Sequence, residues 1–416
     1  MITTAGAIPT IEPDTAEELA AALRRASDAR QSMVISGAGT KMNWGRRPQR
    51  VDAILGTRRL NRVLAHQHGD LTATIEAGAT LAAVNETLTR NGQCLPLDPP
   101  FADRATIGGI LATNDSGPLR HRFGTPRDLV IGVQLATVDG ALAKAGGQVV
   151  KNVAGYDLSK LVCGSFGSLA AIVSATFKLA PLPSASKTIT VDAPDIAALA
   201  AIVREVMSSQ LEPIAFELGA STGATGGMAG VAQAGRPALI MRFASLPVVV
   251  DAQIHQACAL AASKGCAATI VDGDAERRVW DQWARGLWDS PGAIVRASWL
   301  PAEIASALAA LKGCATAATT TGVTPDITPT VTQLGGRAAV GAGLIRIDGD
   351  ARAQAATIEQ LRRSTAFRHV VIVRGSDELK SLVDVWGPLG DRERLLVSLK
   401  RALDPIGVLN AGRGPL

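Results

Sequence analysis

Aromatic residues are scarce in this sequence. Phe, Trp and Tyr make up 3% of 416 residues, and Tyr156 is the only tyrosine. The five cysteines (Cys94, Cys163, Cys258, Cys266 and Cys314) form no CxxC and no paired spacing, so they read as buried thiols of a reducing compartment. No cluster of Cys and His offers zinc or iron–sulfur ligation, and no metal site is expected. No apolar run reaches the ~18 residues that a membrane span needs. The N-terminus lacks a basic segment followed by an apolar one, so no signal peptide is expected and the location reads as cytoplasmic, with docking on a membrane complex left open. Net charge is +5, but arginine is scattered, with no basic tail or stripe. A nucleic-acid surface is therefore not indicated, while an anionic substrate or cofactor would suit the mild positive balance.

Glycine is plentiful, and one stretch concentrates it. Residues 106–170 hold three glycine clusters separated by Val-, Ile- and Leu-rich runs of strand length. Repeated glycine allows close backbone approach and positive φ, although any single cluster also reads as an ordinary turn. A further glycine loop, Ser36-Gly37-Ala38-Gly39-Thr40-Lys41, follows a short apolar strand, and Leu95-Pro96-Leu97-Asp98-Pro99-Pro100 lies between the two. The first loop can aim successive N–H groups at one point, a nest that binds phosphate without a lysine. It contains no GxxxxGK[ST], and its glycines at 37, 39 and 45 miss the GxGxxG spacing, so neither a P-loop nor a Rossmann site is indicated.

This combination resembles the flavoproteins with a vanillyl-alcohol oxidase or p-cresol methylhydroxylase type FAD-binding domain. LPLDPPFADRATIGGILATNDSGP, RFGTPRDLVIGV and VVKNVAGYDLSKLVCGSFGSLAAI narrow it to the FAD-binding subunits of glycolate oxidase. The match covers about residues 30–183 and returns in the closing LDPIGVLN at 403–410. The implied fold is α+β: a two-part α/β FAD-binding domain over 1–183, a cap over 184–375, and a segment 376–416 returning to the FAD domain. The resemblance implies that FAD contacts Ser36, Gly37, Ala38, Gly39, Thr40 and Lys41 in the first loop. It further implies Pro99, Thr106, Ile107, Gly108, Gly109, Ala112, Asn114, Ser116 and Gly117, then Lys151, Asn152, Gly155 and Tyr156, and lastly Gly167, Ser168 and Ile172. Phe166 stands where relatives carry an acid and Ala170 where they carry glycine. No histidine lies in the 36–45 loop and no cysteine in 101–150, so the flavin is expected to be held noncovalently.

Read in order, Thr15 caps a helix with Glu18 three residues on, and Thr80 caps another with Leu81, Val84 and Leu88 on one face. Asp128 is expected to open a strand over 129–138. After Pro183 the order β-α-β-β-α-β is ferredoxin-like, and a second set of strands near 293–299, 341–348 and 369–374 extends it. Segments 219–236 and 313–327 read as loops. Catalytic candidates are few. Arg120, His121 and Arg122 are either a solvated turn or a cation near the flavin. Tyr156 is either a phenol of the site or a packed aromatic. Trp280, Trp283 and Trp288, with Arg278 and Arg285, either pack on a sheet or form a wall of the site. The implied activity is oxidation of a 2-hydroxy acid, with a paralogous FAD subunit and an iron–sulfur subunit as partners. A non-catalytic electron-relay role and a stand-alone alcohol oxidase remain as alternatives. Relatives that oxidise 2-hydroxy acids often carry a metal-binding HxH and a further His in the cap. Here His66, His68 and His121 are assigned to the FAD domain, and the cap has only His255 and His369.

Overall fold

The computed structural model describes residues 8–147, 156–222, 236–320 and 332–415. They divide into two units. The first holds residues up to Gly117, Phe123–Leu182 and Pro388 onward; the second holds Pro118–Arg122 and Pro183–Gly387.

The first unit has two main sheets. Thr10–Ile11, Ala53–Gly56 and Met33–Ser36 form a parallel three-stranded sheet, and Leu409 bridges Met33 in parallel at its edge. The helix Ala16–Asp28 buries Leu19, Leu23 and Ala26 in the core shared with Met33 and Leu55. Thr15 caps that helix by accepting from the Glu18 N–H at 3.1 Å, while Glu18 itself reaches back to the Asp14 N–H at 2.8 Å. The other sheet is antiparallel, in the order Val63–Gln67, Thr72–Glu76, Ala171–Lys178, Val130–Ala136, Leu142–Gly146. The helix Leu81–Thr89, capped by Thr80, buries Leu81, Val84 and Leu88.

One expectation fails here. Asp128 does not open a strand: Pro126–Leu129 is a helical turn and the strand is Val130–Ala136. The Asp128 carboxylate accepts from the Thr125 N–H and hydroxyl, both at 2.7 Å, and Pro126 presets the first φ of the turn. Ile107-Gly108-Gly109 begins a helix, Ile107–Thr113.

The second unit is one eight-stranded sheet made of two ferredoxin-like halves. The first half has the order Ala267–Asp272, Ala185–Asp192, Ala238–Ser245, Ala215–Ser221, which is fourth, first, third, second. The second half mirrors it: Thr332–Arg337, Ala342–Ile347, Ala293–Ser298, His369–Arg374. The halves join where Ala215–Ser221 pairs antiparallel with Thr332–Arg337, and that register sets Glu217 opposite Arg337. Helices Ile196–Ser208, Pro247–Ser263, Ile304–Thr320 and Ala351–Arg363 share one apolar core with the sheet, including Leu199, Ile254, Leu308 and Ile358. The expected loop at 313–327 is thus helical as far as Thr320.

Candidate cofactor-binding site

Two glycine segments far apart in sequence meet in the first unit. A Cβ on Gly37 would overlap Thr106 Oγ1, so the strand Met33–Ser36 leads its loop directly onto the start of the helix Ile107–Thr113. Between them runs a cleft. Its lining includes Gly37, Ala38, Gly39, Thr40 and Lys41 from the first segment, and Thr106, Gly108, Gly109 and Ala112 from the second. Gly167 and Ile172 complete the expected set found there. The other expected contacts lie elsewhere. Ile107 is core, and Pro99 is buried. Gly117 packs on Asp98, where any Cβ would overlap the Asp98 carbonyl. Asn114 adopts a left-handed turn and accepts from the Arg127 N–H and Cys163 Sγ–H. Ser168 donates its hydroxyl to the Ser165 carbonyl. Ser36 donates to the Gly37 carbonyl at 3.3 Å, and Ser116 is half-buried outside the lining. Lys151, Asn152 and Gly155 fall outside the described residues.

The sequence reading missed part of the lining: Ile35, Met42, Thr57, Ala77, Thr113, Phe166, Asn410 and Arg413. Asn410 was legible as part of the closing motif but not as a cleft residue. Its side chain accepts from the Ile35 N–H at 3.1 Å and donates to the Phe166 carbonyl at 2.6 Å. Phe166 itself sits at φ +55, a conformation costly for an aromatic residue and held here by that bond and by its N–H to the Ala112 carbonyl.

The chemistry of the cleft fits a dinucleotide. Among the described residues, the N–H groups of Ala38, Gly39, Thr40 and Gly109 donate to no protein acceptor. Gly39 has φ +76, so the backbone around it turns as a nest does and its N–H groups can converge on an anion. Most of the lining is Gly, Ala and Thr, leaving room for a flat ring. Lys41 is buried, lies 3.5 Å from Asp115 Oδ2, and sits over the Trp44 ring at 5.5 Å. Arg413 is 5% exposed and donates to the carbonyls of Trp44 and Lys41.

The catalytic candidates fare differently. By its contacts, Pro118–Arg122 groups with the second unit. His121 packs edge-on against Phe216 at 5.9 Å, and Arg122 pairs with Glu212 at 3.3 Å. Arg120 does not line the cleft but bears electrostatically on Glu217. Tyr156 is not a packed aromatic: it is 94% exposed. Trp280 and Trp283 pack on the sheet, donating to Thr188 Oγ1 at 2.9 Å and Glu217 Oε2 at 3.1 Å, while Arg278 and Arg285 are exposed on the helix Gly273–Gly286. Thr188 and Glu217 alternate with the core residues Ile189 and Phe216, so this helix covers the sheet face opposite the main core. Glu217 is buried, and burial pushes its carboxyl above the usual range although Arg337, at 3.4 Å, Trp283 and Arg120 oppose the shift.

Residues 8–146 match the FAD binding domain, and residues 182–335 match the C-terminal domain of FAD linked oxidases. The glycolate oxidase subunit GlcD of Bacillus subtilis is 31% identical over 207 residues, 50% of this chain and 44% of that protein. The glycolate oxidase subunit GlcE of Escherichia coli is 32% identical over 204 residues, 49% of this chain and 57% of that protein. The chain thus spans about half the length of these curated relatives. Among solved structures, an alkyldihydroxyacetonephosphate synthase superposes with a TM-score of 0.73 at 17% identity, covering 97% of this chain and 75% of the other, which shows a shared fold.

Proposed function

From the premise that the chain belongs to the FAD-linked oxidoreductases, with the FAD binding domain followed by the oxidase C-terminal domain, we propose that it is an FAD-binding subunit of a glycolate-oxidase-like complex. The observation that carries the reading is the glycine-walled cleft with its unbonded N–H groups at Ala38, Gly39 and Thr40. Those groups would hold the diphosphate of FAD, and the small residues Gly109, Ala112, Gly167 and Ala170 would admit the ring system. Among the described residues, the lining has no His, Cys or Tyr that could tether a flavin. The chemistry FAD supplies is acceptance of a hydride from the α-carbon of a 2-hydroxy acid, and the chain's part is binding, orientation and a tuned potential. In this reading electrons leave to an iron–sulfur partner, with a paralogous FAD subunit alongside; the similarity to proteins named glycolate oxidase subunits GlcD and GlcE supports a multi-subunit assembly.

A second reading makes this chain an electron relay whose paired subunit holds the chemical site. It is favoured by His255 and His369, which are exposed and lie on separate elements of the second unit. The test is the visible spectrum of the purified flavoprotein under anaerobic conditions, before and after glycolate. Bleaching of the isolated chain supports the catalytic reading, and bleaching only in the assembled complex supports the relay. A colourless protein that takes up no FAD sinks both.

A further inference from the structure

Among the described residues, a buried positive charge in the cleft has no counter-anion. Arg413 Nε donates to the Trp44 carbonyl at 3.2 Å, Nη2 donates to the Lys41 carbonyl, and Nη1 has only a 3.8 Å contact to Met42 Sδ. Carbonyls and a thioether can solvate a guanidinium, but they cannot neutralise it. Among the described residues Arg413 has no ion-pair partner, although it is 5% exposed. The other cleft cation differs: Lys41 sits beside the buried Asp115 carboxylate. Burying a lone charge is costly unless something pairs with it, and the cost shows in the guanidinium, whose pKa burial lowers to about 10. The charge lines the same cleft as the unbonded N–H groups of Ala38, Gly39 and Thr40.

We propose that Arg413, delivered by the C-terminal segment, is the counter-cation for the diphosphate of FAD in the cleft formed by the 37–41 loop. This rests on the cofactor reading above and adds to it a residue some 370 positions from the loop it serves. Arginine suits the task because its planar fork can hold two backbone carbonyls and still offer donors to a phosphate oxygen. The C-terminal segment thus acts as a clasp. The Arg413 N–H is bonded to the Asn410 carbonyl, its own carbonyl accepts from the Arg46 N–H at 3.1 Å, and Lys400 Nζ donates to the Ser168 carbonyl at 2.7 Å.

The test is FAD binding to stripped apoprotein, followed by flavin fluorescence quenching across a range of salt. Arg413→Met is expected to weaken binding roughly ten- to a hundredfold, the range of a charged hydrogen bond, and to flatten its salt dependence. Arg413→Lys should recover most of the loss, which a role confined to tying down the 41–44 carbonyls would not predict. Arg413→Gln, which keeps a donor but not the charge, serves if the Met variant misfolds and should resemble it. A loss under fivefold, an unchanged salt slope, or a Lys variant as weak as Met or Gln would overturn the assignment. A wild-type apoprotein that binds no FAD would overturn the cofactor reading beneath it, and that outcome is distinguishable because it precedes any variant.

Discussion

Glycines that look alike in sequence do different work. Gly117 is glycine because a Cβ would overlap the Asp98 carbonyl, and Gly108 because its Cβ would sit 2.8 Å from that of Ala77. Gly109 faces the cleft, where an added Cβ meets only Thr106 Oγ1, at 3.3 Å. Gly109→Leu should therefore keep the melting temperature of the apoprotein within a few degrees yet abolish stoichiometric FAD; retained flavin in a folded variant would remove Gly109 from the site. His121 makes a second residue-scale prediction. Burial, with Arg122 adding to it, holds the imidazole below its usual pKa of 6.5. A base depressed in the folded state gains its proton on unfolding, so stability is full above the unfolded pKa and declines as pH falls below it. Between about pH 7.5 and 5.5, the melting temperature of the wild type should fall more steeply than that of His121→Phe, which keeps an aromatic ring against Phe216. Parallel curves would mean that His121 does not titrate in that window.

At the scale of elements, the closing motif is a strand-like extension tied down by one carboxylate. Asp404 is buried and accepts from the Val408 N–H at 2.9 Å, the Leu409 N–H at 2.8 Å and Lys400 Nζ. Those bonds fix the segment whose backbone exchanges hydrogen bonds with Met33. Asp404→Ala should cost about 3 kcal/mol in urea unfolding, the scale of breaking a buried charged network, and Asp404→Asn less. Legibility also varies by element. The first ferredoxin-like half could be read because its strands and helices alternate with plain apolar periodicity. The strand Thr332–Arg337 could not, because Gly335 and Gly336 look like breakers. In the fold, Gly336 and Gly343 make room for the Trp299 ring, which would lie 2.8 Å and 3.1 Å from a Cβ at those positions. The helix running through 313–320 was hidden in the same way, by an Ala- and Thr-rich composition that reads as loop. In the cleft, the glycine loops announced themselves, whereas Asn410 and Arg413 are single residues whose meaning comes from tertiary position.

For the whole molecule, the path of the chain matters more than the list of its domains. The backbone passes between the two units at 117/118, 122/123, 182/183 and 387/388. Five residues of an otherwise N-terminal module, Pro118–Arg122, are therefore furnished with their neighbours by sequence almost a hundred positions later, among them Phe216 and Glu212. The last stretch in turn supplies the edge beside Met33. Severed after Leu182, the front fragment would carry an orphaned pentapeptide and lack the segment that bridges Met33, so it should emerge insoluble, while co-expression of the remainder should rescue it. A ribosome making this polypeptide would accordingly hold an unfinished flavin module until residues 403–413 had emerged.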